Sequence, residues 1–217
     1  GTVIGARLGQ VLFYEFDYYK DHLLEMLFPF RISNGKFEWT GYQGLASHGG
    51  AVGILLAVWL YARKYKFSVL WVLDRLVIVV ALGGFFIRLG NFFNSEILGL
   101  PSTLPWAVVF AKVDLVPRHP AQLYEALAYL SIFIGLWFFY KRGGHQQKGR
   151  LFGLFLVLVF SARFLIEFVK TDQKEFESSL VLNMGQLLSI PFVIAGLYFL
   201  LRGKKNEESG RLSRIDE

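Results

Sequence analysis

The stretch VLWVLDRLVIVVALGGFFIRLGNFFNSE, residues 69–96, decides what kind of fold this chain adopts. Across 69–87 its charges are Asp74 and Arg75. An apolar run of about 18 residues or more with so few charges reads as a helix that crosses a bilayer. From Arg88 the character changes, and Arg88, Asn91, Asn94, Ser95 and Glu96 crowd together, with Gly99 close behind. The segment therefore predicts a membrane span ending at Ile87, followed by a polar, Pro-containing stretch over 88–119.

The same pattern recurs on either side. Residues 121–140 carry only Glu125 as a charge, 151–162 carry none, and 185–201 carry none. The run 151–169 adds Arg163 and Glu167 near its end. Residues 48–62 form a shorter run opening with His48-Gly49-Gly50, and 1–14 is too short to cross, so it reads as the tail of a helix continuing before Gly1. No strand alternation and no internal repeat is visible. The expected fold class is all-α: a polytopic transmembrane helix bundle over residues 1–205 as a single domain, with an extracytoplasmic arm or head region and a polar cytoplasmic tail at 206–217.

Charge sets the orientation. The net charge is +6, from 23 basic and 17 acidic residues. In a soluble chain such an excess suggests nucleic acid. Here it gathers at 63–66, 141–150 and after 202, between or beyond apolar runs, as the positive-inside rule describes. Those segments are expected in the cytoplasm and 15–47, 88–119 and 170–183 outside, with a cytoplasmic C-terminus and no nucleic-acid partner. The chain has no cysteine, which rules out disulfides and thiolate chemistry of its own.

This topology gathers His48, Arg88, His119, Glu125, Arg163 and Glu167 at the outer ends of the helices. Ionisable groups at membrane depth are costly and mark functional sites by default. Arg88 can clamp a phosphate through two parallel hydrogen bonds, with Asn91, Asn94 and Glu96 orienting it or binding a glycerol hydroxyl; the plain alternative is an interfacial arginine with polar caps. Arg163 and Glu167 lie four apart on one helix face and can pair, as a structural ion pair or as a clamp. His48 is a proton acceptor or a helix-end histidine bonded to a carbonyl. His119-Pro120-Ala121-Gln122-Leu123-Tyr124-Glu125 either binds a ligand or fixes the start of a helix. Gly1, Gly5 and Gly9, spaced by four, permit close helix approach, or reflect the abundance of glycine in membrane helices. No Gly-x-Ser-x-Gly elbow, phosphate-binding loop or His-Glu-x-x-His pair is present, and no ligand cluster calls for a metal or cofactor.

Six strings in order resemble the prolipoprotein diacylglyceryl transferase family: Gly-Ala-Arg-Leu-Gly at 5–9, Ser-His-Gly-Gly at 47–50, Arg-Leu-Gly-Asn-Phe-x-Asn-x-Glu at 88–96, His-Pro-x-Gln-Leu-Tyr-Glu at 119–125, Arg-Phe-x-x-Glu-Phe at 163–168 and Met-Gly-Gln-x-Leu-Ser-Ile-Pro at 184–191. The resemblance implies transfer of the diacylglyceryl group from phosphatidylglycerol to the lipobox cysteine of preprolipoprotein signal peptides. It places the site at the outer leaflet of the bacterial inner membrane and needs no cofactor. It implies catalytic roles for His48, Arg88 and Arg163, and substrate contacts for Arg88, Asn91, Asn94, Glu96, Gly99, His119, Gln122, Tyr124 and Glu167. Two positions depart from the family pattern. Ile87 stands where glycine is frequent, and Val159 where a tyrosine is usual. On the residues alone, a transporter with an anion path and a non-catalytic lipid-binding protein are the competing readings.

Overall fold

The computed structural model describes residues 1–20, 22, 30–33, 36–39, 46–144, 146–171 and 182–212. The chain divides into two compact units, Gly1–Val69 and Leu70–Glu217.

In the first unit, helix α1 (Thr2–Tyr14) leads into a short turn of helix, α2 (Phe16–Tyr19), and later α3 (Ser47–Lys64) packs along α1. Glycine makes that packing. A methyl group on Gly5 would overlap the Gly49 carbonyl, and one on Gly49 would overlap the Gly5 carbonyl. Gly9 lies against Gly49, and Gly1 against Gly53. The four-residue glycine spacing thus serves backbone-to-backbone contact. The unit also buries Arg7, whose guanidinium donates to the Tyr19 hydroxyl at 2.9 Å.

A hairpin of β1 (Phe30–Ser33) and β2 (Lys36–Trp39) pairs Phe30 with Trp39 and Ser33 with Lys36. These strands, and the two-residue strands of the second unit, are small additions to a mostly helical chain. They are too short for a period of two to show in the sequence.

The second unit is built on α4 (Val69–Asn94), α5 (Ala121–Phe139), α6 (Arg150–Ile166) and α7 (Met184–Leu212). Among the described residues, four helical segments are long and apolar enough to cross a membrane: Val69–Asn94, Ala121–Gly144, Arg150–Val169 and Met184–Arg202. Their core is narrow, with Val77, Ile78, Ala81, Tyr129, Ile132, Leu136 and Leu151 at its centre. Large side chains such as Val79, Phe86, Ile87, Leu127, Phe138 and Leu165 point outward, where a soluble protein would place polar groups. Lipid is the solvent that makes such a surface favourable.

Two boundaries differ from expectation. Helix α4 does not stop at Ile87. It runs on to Asn94, because Leu89, Phe92 and Phe93 extend the apolar pattern and no proline intervenes; Ser95 (φ 60°) and Ile97 (φ 55°) then turn the chain. Helix α7 likewise continues beyond the apolar run 185–201 to Leu212, so the first part of the expected polar tail is helical.

Between α4 and α5, β3 (Val108–Val109) pairs with β4 (Pro117–Arg118). At the opposite end, α5 passes through a π-helical turn, Tyr140–Gly144, into the basic segment before α6. There the fully buried Asp74 of α4 caps α6 from outside, accepting hydrogen bonds from the Gly149 amide at 2.6 Å and the Phe152 amide at 2.8 Å. Gly149 adopts φ +89°, a conformation glycine reaches without strain. Two of the four unsatisfied amides of a helix start thus find an anion where the helix dipole favours one.

Candidate active site

The other end of α4 holds the remaining buried charges described in the second unit. The extension of α4 past Ile87 places Arg88 and Asn91 one turn apart, and Arg88 Nη1 donates to Asn91 Oδ1 at 3.3 Å. Asn91 Nδ2 donates to Glu96 Oε2 at 2.7 Å, and Asn94 Nδ2 to Glu96 Oε1 at 3.3 Å. The string 88–96 closes on itself through side chains, as its density of polar groups suggested.

Arg88 also reaches across to α5, where its Nε lies 2.9 Å from Glu125 Oε2. Glu125 is fully buried, and its other oxygen lies 2.9 Å from Lys170 Nζ. The same ammonium lies 3.0 Å from Glu167 Oε2. Lys170 is itself buried, so three elements meet at one ammonium group. Such ions at membrane depth persist only when fully paired. Gly185 on α7 completes the enclosure, since a methyl group there would lie 2.5 Å from the Glu167 carboxyl carbon.

The 3₁₀ turn Glu167–Val169 that ends α6 aims Glu167 at Lys170 instead of back along the helix. The expected i,i+4 pair of Arg163 with Glu167 does not form. Arg163 has no hydrogen bond or ion pair among the described residues; the buried Tyr129 hydroxyl lies within electrostatic range of both Arg88 and Arg163. Within the cluster Arg88 and Lys170 balance Glu125 and Glu167, and Arg163 carries a further positive charge with no partner among the described residues, suited to a bound anion.

The connection 95–120 frames the cluster. Gly99 is bridged to Lys170, and any side chain at Gly99 would overlap the His119 carbonyl. The Leu100 amide donates to Val169 and the His119 amide to Leu100. His119 Nδ1 and the Tyr124 hydroxyl lie 3.3 Å apart, and the Trp106 indole N–H donates to that hydroxyl at 2.8 Å. Gln122, fully buried, donates to the Glu96 carbonyl, while its Oε1 has no partner among the described residues. On the outer part of the connection Arg118 donates to Asp114, which holds that carboxyl below its usual range.

The structure thus gathers Arg88, Asn91, Asn94, Glu96, Gly99, His119, Gln122, Tyr124 and Glu167 into one network, with Arg163 reaching it through Tyr129. His48 opens α3 in the first unit, and its side chain lies outside the described residues. Lys170 and Tyr129 escaped the sequence reading. Lys170 looked like the start of a loop, and its one signal was the three-residue spacing from Glu167. Tyr129 looked like an ordinary aromatic of an apolar run.

Fold and site define an integral membrane protein of several helices with a cluster of paired charges where α4, α5 and α6 meet. The sequence model of the prolipoprotein diacylglyceryl transferase family matches residues 1–202. The phosphatidylglycerol–prolipoprotein diacylglyceryl transferase of Bacteroides fragilis is 49% identical over 208 residues, covering 94% of this chain and 75% of that protein. The protein of the same name from Chloroherpeton thalassium is 48% identical over 215 residues, covering 98% of this chain and 76% of its own length. The Tolumonas auensis protein of that name is 49% identical over 208 residues, with 95% and 76% covered. The chain belongs to the prolipoprotein diacylglyceryl transferase family and is a membrane-embedded transferase.

Proposed function

We propose that this site moves the diacylglyceryl group of phosphatidylglycerol onto the lipobox cysteine thiol of a preprolipoprotein signal peptide, the first step of bacterial lipoprotein maturation. The observation that carries the reading is the buried cluster in which Glu125 and Glu167 are both engaged by Lys170, while Arg163 has no carboxylate partner among the described residues.

The chemistry asks for such a cluster. A thiol with an ordinary pKa of about 8.5 reacts as its thiolate. The sulfur attacks the glyceryl carbon that carries the phosphate ester. A carbon–sulfur bond forms, the carbon–oxygen bond breaks, and its electron pair stays on the departing glycerol phosphate. The phosphodiester carries one negative charge and the released monoester two, so one charge grows as the bond breaks, and the thiol proton goes to a base. Arg88 and Arg163 stabilise the growing charge in a site that excludes water. His48 is the proposed base, a role its imidazole suits at neutral pH. Asn91, Asn94, Glu96, Gln122 and Tyr124 supply hydrogen-bonding groups for the glycerol headgroup, with His119 bracing Tyr124 and Gly99 giving the backbone room. Tyr129 contributes a hydroxyl to the arginine pair, where Val159 offers none.

The site lies at the opposite end of α4, α5 and α6 from the basic segment 141–150. By the positive-inside rule this favours a site at the outer leaflet of the inner membrane and a cytoplasmic C-terminus.

The test is transfer to a synthetic lipobox peptide in phosphatidylglycerol vesicles, read as a mass increase on the cysteine. A diacylglyceryl increment, absent with the Cys→Ser peptide, is expected. A folded, inserted protein that adds no mass would leave an anion-binding lipid protein as the reading.

A further inference from the structure

Arg163 and Glu167 stand at the spacing at which a helix pairs opposite charges, yet the pair is not made. The reason lies in Lys170. Its ammonium is buried and lies 3.0 Å from Glu167 and 2.9 Å from Glu125. Its backbone is also fastened, by the bridge to Gly99 and by the Thr171 amide donating to the Leu98 carbonyl. Lys170 is therefore held at a fixed point by the segment that follows Asn94, and Gly185 encloses Glu167 from α7.

We propose that Lys170 is a positioning residue that occupies Glu167 and so keeps the Arg163 guanidinium available for the phosphate of the lipid substrate. Without this ammonium, Glu167 would be a buried carboxylate lacking its cation, and Arg163, one helical turn away, is the nearest replacement along the chain. The pair would then form, and Arg163 would be withdrawn from the substrate. Lys170 also shares Glu125 with Arg88, so the Arg88 charge is divided less completely. The availability of Arg163 thus depends on a residue that need not touch the lipid. The proposal rests on the transferase reading and on Arg163 as a phosphate ligand.

The experiment is a double-mutant cycle on the whole chain in mixed micelles, with the KM for phosphatidylglycerol, kcat and the thermal midpoint measured for wild type, Lys170→Met, Glu167→Gln and the double variant. Lys170→Met is expected to raise the KM for phosphatidylglycerol at least about tenfold, the scale of one lost charge-assisted hydrogen bond. In the Glu167→Gln background, where residue 167 can no longer capture Arg163, the same substitution is expected to add less than about threefold, which is the non-additivity of residues in one network. Lys170→Arg, which keeps the charge, should stay near wild type in KM. Equal effects in the two backgrounds would overturn the proposal, because Lys170 would then act directly or only through stability. Should Lys170→Met alone fail to fold, the comparison of Glu167→Gln with the double variant still decides, since a further large rise in KM there contradicts the mechanism. Arg163→Met separates the two levels of the argument. If wild type transfers and Arg163→Met leaves the KM for phosphatidylglycerol unchanged, the phosphate role of Arg163 fails and the proposal with it. If Arg163→Met raises that KM while the cycle is additive, the Lys170 proposal alone fails.

Discussion

The two ends of helix α4 bury charge in opposite ways. Near its start, Asp74 is fully enclosed and accepts the amides of Gly149 and Phe152, so its carboxylate is held by backbone donors at a helix start. Fourteen residues further on, about 21 Å along an ideal helix, Arg88 enters a cluster in which it and Lys170 are paired with Glu125 and Glu167. Asp74 is a completed structural anion. At the far end the pairing leaves Arg163 without a partner among the described residues. Burial alone therefore does not mark function in a membrane helix; what marks it is the charge balance of the partners.

Several substitutions would break or sharpen this contrast. The largest effect is expected at Arg88. Arg88→Ala should lower transfer by roughly 10²–10³-fold, the scale for removing a donor aimed at developing charge, while the thermal midpoint in detergent stays close to wild type. Near-normal turnover would erase the distinction between the two ends. Gly99→Ala comes next. Its methyl group would push the His119 backbone away, and a displacement of that kind should cost transfer roughly 10–100-fold. Initial rates at saturating phosphatidylglycerol check it, and a fully active variant would show that the 95–120 frame tolerates movement.

At the structural end the readout reverses. Asp74→Ala should lower stability by about 1–3 kcal/mol for each amide left unpaired, with transfer per folded molecule within about threefold of wild type. Unfolding in detergent and active-fraction titration measure the two quantities separately. A large loss of turnover in the folded fraction would mean that the ends are coupled. The smallest effect is expected at Asp114. Arg118 holds its carboxyl below the usual value of 3.8, so the pair contributes order above that pH and loses it as pH falls through the lowered value. Amide exchange in 95–120 should therefore quicken on acidification, and Asp114→Asn should remove that acid step. Because the pair is exposed, transfer near neutral pH should barely change.

Much of the candidate site was legible because its residues occur in dense local strings. Arg88 with Asn91, Asn94 and Glu96, and His119 with Gln122 and Tyr124, each form contacts within a few residues, and local spacing is what a sequence displays. Lys170 was not legible, because its partners Glu125 and Glu167 come from separate helices and the segment after Glu167 reads as an ordinary polar connection. Tyr129 was hidden for a related reason: an aromatic in an apolar run reveals nothing of the two arginines that other helices bring to its hydroxyl.

The sequence by itself determined that this is a membrane helix bundle, since long uncharged runs have no other stable solvent, and it determined the family, since six strings in fixed order identify it. It raised the possibility of close helix approach at Gly1, Gly5 and Gly9, and the structure supplied the partner, α3. The tertiary structure alone decided which buried charges pair. Arg163 and Glu167 satisfy the spacing rule for a pair, but Lys170 is held where it can bind Glu167 and Glu125 together, and Asp74 is placed under the amides of a helix 75 residues away. Pairing in a low-dielectric interior depends on distances of a few ångströms between groups remote in sequence, and only the packing of the helices fixes those.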